Sequence, residues 1–179
     1  MKRNIANYLL FQLAWLGCLF SARINFGMLA ILIAALLLIL HVQVIGSLSD
    51  VRFVVLAAAL GYASDTLLVV AGVLAFENET PLPAPLWMLA IWTCFATTIG
   101  YSLGWLDGRL GLAAILGGLA GPLAYLSSEK MGVVDIRESL RGIAYIAAEW
   151  FVTLPFLITL RKTIAGRRSA NAKVAIRHV

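Results

Sequence analysis

The feature that most limits what this chain can become is its succession of apolar stretches, each close to bilayer length and separated by short charged or proline-containing breaks. A lipid core of ~30 Å takes about 20 apolar residues in a helix, because backbone N–H and C=O groups find no water there and must pair within the segment. The stretches run over about Ile5–Ala22, Phe26–Ile45, Arg52–Phe76, Leu86–Leu106, Leu110–Leu126 and Ser139–Leu160. They predict an all-α polytopic bundle of six transmembrane helices, a single domain over 1–160, with a basic cytoplasmic tail over 161–179. The charged start and first apolar run read as an uncleaved first helix rather than a signal peptide. Composition agrees: 61% of the 179 residues are hydrophobic and 13% charged, about half the charged share of a soluble domain.

The formal charge of +5 raises nucleic acid as a partner, but the basic residues sit at the ends of apolar runs and in the tail. That placement suits an anionic lipid surface and not a nucleic-acid groove. The two cysteines, Cys18 and Cys94, lie inside apolar runs, which leaves no disulfide framework and no CxxC metal site. His41 has no second His, Cys or carboxylate at ligand spacing and reads as an interfacial or packing residue. No metal and no cofactor is expected.

Two acids break the apolar pattern. Asp65 lies in the small, polar cluster Gly61-Tyr62-Ala63-Ser64-Asp65-Thr66 of the third span, and Glu149 lies near the centre of the sixth, between Tyr145 and Thr153. An ionisable side chain at mid-bilayer costs about 2.5–3.5 kcal/mol on insertion scales, so it faces protein or a water-filled cavity. No Lys or Arg occurs at that depth. Two carboxyls brought together there cannot both ionise, and such a pair could take up a proton or a cation. The alternative is that the two are apart, each protonated and bonded to a nearby Tyr, Ser or Thr. The polar core is expected to comprise Asp65, Glu149, Tyr62, Gln12, Thr97, Tyr101 and Ser102 as ligand-binding residues.

Helical spacing carries further expectations. Asn4, Tyr8, Gln12 and Trp15 share one face of the first span, which should point into the bundle. At ~1.5 Å per residue the third run spans ~37 Å, longer than a ~30 Å core, and should tilt or protrude; Ala58, Gly61, Tyr62, Val69 and Gly72 lie on its Asp65 side. Gly100, Gly104 and Gly108 repeat at four, as do Ala113, Gly117 and Gly121, and read as facing ridges of a tight helical hairpin. Gly121-Pro122 is expected to break or bend the fifth helix. Glu77 to Pro85 is an acidic, proline-rich break, and Asn78-Glu79-Thr80 matches a glycosylation sequon that matters only in a eukaryotic lumen. Ser127–Glu138 forms a charged connection suited to the interface.

With six spans both termini share a side. Sorting the 14 Lys and Arg then puts Lys2, Arg3, Arg52, Arg109 and the tail's Arg161, Lys162, Arg167, Arg168, Lys173 and Arg177 together, against Arg23, Lys130, Arg137 and Arg141. The excess places both termini in the cytoplasm.

Over most of its length the chain resembles a bacterial inner-membrane family known as domain of unknown function 2878. The resemblance rests on Asn7-Tyr8-Leu9-Leu10-Phe11-Gln12-Leu13-Ala14-Trp15, on Gly61 through Asp65, on Phe95-Ala96-Thr97-Thr98 with Ser102-Leu103 and Trp105-Leu106, and on Gly121-Pro122-Leu123-Ala124-Tyr125-Leu126. The family pattern has a histidine where Tyr101 stands here, which weakens any partnership of an imidazole with Asp65. The resemblance implies a multi-pass bacterial inner-membrane protein and supplies no mechanism. Three function classes follow from the residues. The first is a small transporter or substrate-capture protein with a midplane carboxylate site. An intramembrane lipid-modifying enzyme using Asp65 or Glu149 as acid or base is the second; the third is a non-catalytic accessory subunit packed on a membrane protein partner. The sequence carries no zinc helix, nucleophile elbow or phosphate-cradling glycine loop. Membrane lipids are the expected partners, with a small-molecule or lipid ligand.

Overall fold

The computed structural model describes residues 1–76 and 82–177, the last of these, 167–177, as backbone alone. The acidic loop residues Glu77, Asn78, Glu79, Thr80 and Pro81, with the sequon, lie outside the described residues, as do the side chains of Arg167, Arg168, Lys173 and Arg177.

Among the described residues six α-helices follow in order: α1 (Lys2–Arg23), α2 (Gly27–Leu40), α3 (Leu48–Val70), α4 (Leu86–Ala96), α5 (Leu110–Lys130) and α6 (Ser139–Arg177). Among the described residues five helices are long and apolar enough to cross a membrane: Lys2–Arg23, Gly27–Ile45, Leu48–Val70, Leu110–Lys130 and Ser139–Gly166. The last turn of the second span, His41–Ile45, is a π-helical turn. Two short strands, β1 (Leu74–Ala75) and β2 (Asp135–Ile136), pair antiparallel with Leu74 opposite Ile136. They tie the α3–α4 connection to the α5–α6 connection at one end of the bundle, helped by Glu129, whose carboxylate accepts from the Ile136 N–H at 2.9 Å.

Several expectations are corrected. The third helix starts at Leu48, where Asp50 accepts the Ser47 N–H at 3.0 Å, and ends at Val70, six residues before the expected Phe76. Ser47 and Asp50 form a capping pair, a helix start that outweighs the apparent loop. The chain then turns through Gly72 into β1 instead of protruding as helix.

The fourth span is not one helix. α4 has 11 residues, ~16 Å of rise against a ~30 Å core, and beyond Ala96 the chain continues in tight turns and a 3₁₀ turn over Gly104–Leu106. The Thr97 and Thr98 hydroxyls donate back to the Cys94 and Phe95 carbonyls at 2.7 and 2.6 Å, which competes with the regular helical ladder. Asn7 of α1 compensates. Its side chain, 2% exposed, donates to the Thr97 carbonyl at 3.1 Å and accepts from the Ser102 N–H and hydroxyl at 3.2 and 2.7 Å. Irregular backbone among apolar helices is tolerated only where protein satisfies it in this way.

The facing glycine ridges also part company. Gly100 and Gly108 have φ +93 and +76 and lie in turns. Gly117 and Gly121 do pack closely, but against α6: a Cβ at either would strike Trp150. The tight hairpin is therefore α5 with α6. Pro122 sits inside a continuous α5 that extends to Lys130, so Ser127–Lys130 is helix and not connection. α6 continues through the expected tail to Arg177.

Candidate functional site

The polar centre is built from three helices on Asp65. Ala57, Gly61 and Asp65 lie on the buried face of α3, and the absence of a side chain at Gly61 gives room to the Trp92 indole, which a Cβ there would overlap. Trp92 of α4 donates its indole N–H to Asp65 Oδ2 at 2.6 Å. Tyr125 of α5 donates its hydroxyl to Asp65 Oδ1. Asp65 is 0% exposed, and both its oxygens are taken, as a buried carboxyl requires.

Glu149 of α6 is beside this centre. It accepts from Ser64, the chain neighbour of Asp65, and from Thr153 at 3.3 Å. Glu149 Oε2 has no hydrogen-bond partner among the described residues. Tyr145, by contrast, is 59% exposed and takes no part. Trp150, next to Glu149, stacks on Trp92 with centroids 4.9 Å apart and planes at 14°; Phe95 meets both rings edge-on at 5.7 and 5.1 Å. Such pairs add about 0.5–1.5 kcal/mol each beyond burial. The aromatic wall is thus fixed from behind by the carboxyl of Asp65.

In front of that wall lie two adjoining cavities of 330 and 280 Å³. They share Phe11, Phe95, Ala120 and Trp150 as common lining. The larger reaches Gln12, Trp15, Trp92 and Tyr125; the smaller reaches Tyr8, Thr98, Ser102 and Leu106. α4 forms their floor, with α1 on one side and α5 and α6 on the other. The rims are open. Tyr8 and Leu123 line these cavities yet are 50% and 63% exposed, so the hollow between α1 and α5 meets the outer surface of the bundle. The expected inward face of α1, with Tyr8, Gln12 and Trp15, lines this hollow, and Gln12 donates to Tyr8 one turn earlier on the same helix at 2.8 Å. Asn4 of that face is exposed.

The expected site residues therefore divide. Asp65 and Glu149 come together behind the wall, and neither lines either of these two cavities. Gln12 and Ser102 line cavities. Tyr62 donates to the Ala84 carbonyl at 2.5 Å and holds the segment leading into α4. Thr97 is buried, bonded to Cys94 and Asn7. Tyr101 lies at one end of the bundle, where it donates to Asp50 Oδ2 at 2.5 Å.

That end holds a second polar cluster which sequence reasoning missed. His41, 1% exposed, has Nε2 3.5 Å from Asp50 Oδ2 and lies edge-on to Tyr101 with centroids 4.8 Å apart. Arg161 Nη2 stands 3.9 Å from Asp50 Oδ1. Among the described residues, no three His, Cys, Asp or Glu side chains gather as metal ligands would.

Residues 4–156 match the model of the family described as Protein of unknown function (DUF2878). The chain belongs to the DUF2878 family. No curated protein and no solved structure matches it. The matched region takes in Asn7, Asp65, Trp92, Tyr125 and Glu149, so in this DUF2878 chain the carboxyl centre and the hollow lie inside the family segment, whereas Arg3 and Arg161 lie outside it.

Proposed function

We propose that this is a multi-pass protein of the bacterial inner membrane that captures an apolar or amphiphilic molecule sideways from the bilayer, as a carrier or substrate-capture protein. One observation carries the reading: a cavity lined by aromatic and apolar side chains, with exposed rim residues Tyr8 and Leu123, between helices of membrane-spanning length. A hollow opening at that height faces acyl chains, not water. Volumes of this order suit a small molecule or a single chain, since ligand pockets hold about 300–1,000 Å³. In this account α4 and the turns that follow it complete a sixth crossing, and both termini are cytoplasmic. The midplane acids then act indirectly, Asp65 by orienting the Trp92 and Tyr125 walls.

Ala120→Phe tests this, because Ala120 lines both cavities and is itself exposed. Mass spectrometry of lipid retained on the purified protein should show a clear loss in the variant. Unchanged retention would remove the hollow from the function.

One observation favours a lipid-modifying enzyme as the second reading. Tyr125 lines the larger cavity and shares its hydroxyl with a buried carboxyl, a pair able to relay a proton. The retained molecule distinguishes the two readings: a carrier releases it unchanged, an enzyme alters it.

A further inference from the structure

The cluster at the Asp50 end has more positive charge than it needs for itself. Arg3 of α1 and Arg161 of α6 stand on the same Tyr101 ring, with guanidinium carbons 5.5 and 5.6 Å from its centroid. Asp50 is already occupied, accepting from Tyr101 at 2.5 Å and from the Ser47 N–H at 3.0 Å. Its 3.9 Å approach to Arg161 is beyond hydrogen-bond reach. Among the described residues neither guanidinium donates a hydrogen bond. The nearby Lys162 and Asp107 neutralise each other at 3.3 Å. Two planar forks thus stand on one phenol ring, and the acidic group that this ring donates to is otherwise engaged.

The backbone is shaped to keep Arg161 there. Gly100 takes φ +93, and a Cβ on it would collide with the Arg161 guanidinium. Only glycine accepts both that dihedral and that contact at low cost. Position relative to the hollow supplies the second link. Ser102, the chain neighbour of Tyr101, lines the smaller cavity together with Tyr8, and Arg3 lies five residues before Tyr8, ~7.5 Å of helix rise.

We infer that Arg3 and Arg161 bind the phosphate of an amphiphile whose chain lies in the cavity between α1 and α5. Phosphate is the fitting group, since its oxygens can accept from two guanidinium forks at once, whereas a carboxylate is satisfied by one. The inference rests on the capture reading above and names the head group of the molecule captured.

The test uses the purified full chain in detergent with equimolar phosphatidylglycerol and diacylglycerol of identical acyl chains, read by native mass spectrometry. The wild type should retain the phosphate-bearing lipid about tenfold over the diacylglycerol, the ratio expected from charge-assisted hydrogen bonds. In Arg3→Gln with Arg161→Gln that ratio should fall to near one. The single Arg3→Gln variant, at an exposed residue, should lower the ratio as well, which guards against misfolding of the double variant. Equal ratios in wild type and variants would overturn the inference. So would inorganic phosphate that raises the thermal stability of the wild type alone while no lipid preference exists, since the site would then serve a free anion. Failure of the capture reading shows separately, as lipid retention that Ala120→Phe does not change.

Discussion

Asp65 accepts from an indole and a phenol that differ in what they can tolerate. The Trp92 N–H can only donate, whereas the Tyr125 hydroxyl can turn and accept. Asp65→Asn can therefore keep both contacts, its carbonyl facing Trp92 and its amide facing Tyr125, and should unfold within a few degrees of the wild type. Asp65→Leu orphans both donors and should cost about 1–3 kcal/mol for each. Thermal unfolding in detergent, followed by tryptophan emission, measures both; a leucine variant as stable as the wild type would contradict the network. Gly61→Ala tests the same centre from the other side, because its Cβ meets the Trp92 ring; the same scan should show a loss of about 1–3 kcal/mol from overpacking. At this scale Asp65 was legible in the sequence, since an acid in an apolar run demands a partner. Trp92 and Tyr125 were not: they lie 27 and 60 residues away, and aromatics in apolar runs look the same whether they face lipid or a carboxyl.

Among the elements, α4 departs most from the apolar pattern. Hydropathy alone extends it to Leu106, but Thr97 and Thr98 spend their hydroxyls on the preceding turn, and Gly100 leaves the helical region. The signal lay in the Thr-Thr pair followed by glycine, where local side-chain bonds compete with the ladder. What could not be read was the rescue by Asn7, 90 residues from Thr97. Asn7→Leu should leave the Thr97 carbonyl and the Ser102 N–H unpaired and cost about 1–3 kcal/mol for each. Thermal unfolding monitored by the lost helicity gives the value, and an unchanged midpoint would show that the stitch is dispensable. The opposite misreading concerns α5. Pro122 removes one backbone N–H, yet packing of α5 on α6 through Gly117 and Gly121 holds the helix continuous. Helix-breaking residues identify a possible kink; neighbouring helices decide whether it forms.

Across the whole molecule, the membrane-like bundle was legible from run length, and its interior hollow was not, because apolar residues lining a cavity and apolar residues facing lipid have the same composition. Orientation can be tested apart from function. Asp135 is exposed on β2, and Asp107 lies at the opposite end with Lys162. In intact cells Asp135→Cys should react with an impermeant thiol reagent and Asp107→Cys should not; the native Cys18 and Cys94, both 0% exposed, should stay silent. The reverse pattern would invert the topology.

The central claim, occupancy of the hollow from the bilayer side, is tested most directly by photocrosslinking. A phospholipid with a diazirine in its acyl chain, reconstituted with the protein in vesicles and irradiated, should leave adducts concentrated on Phe11, Trp15, Leu123 and Tyr125, well above those on the outward-facing Leu32, Leu56 and Val70. Adducts spread evenly over all seven positions would contradict the account.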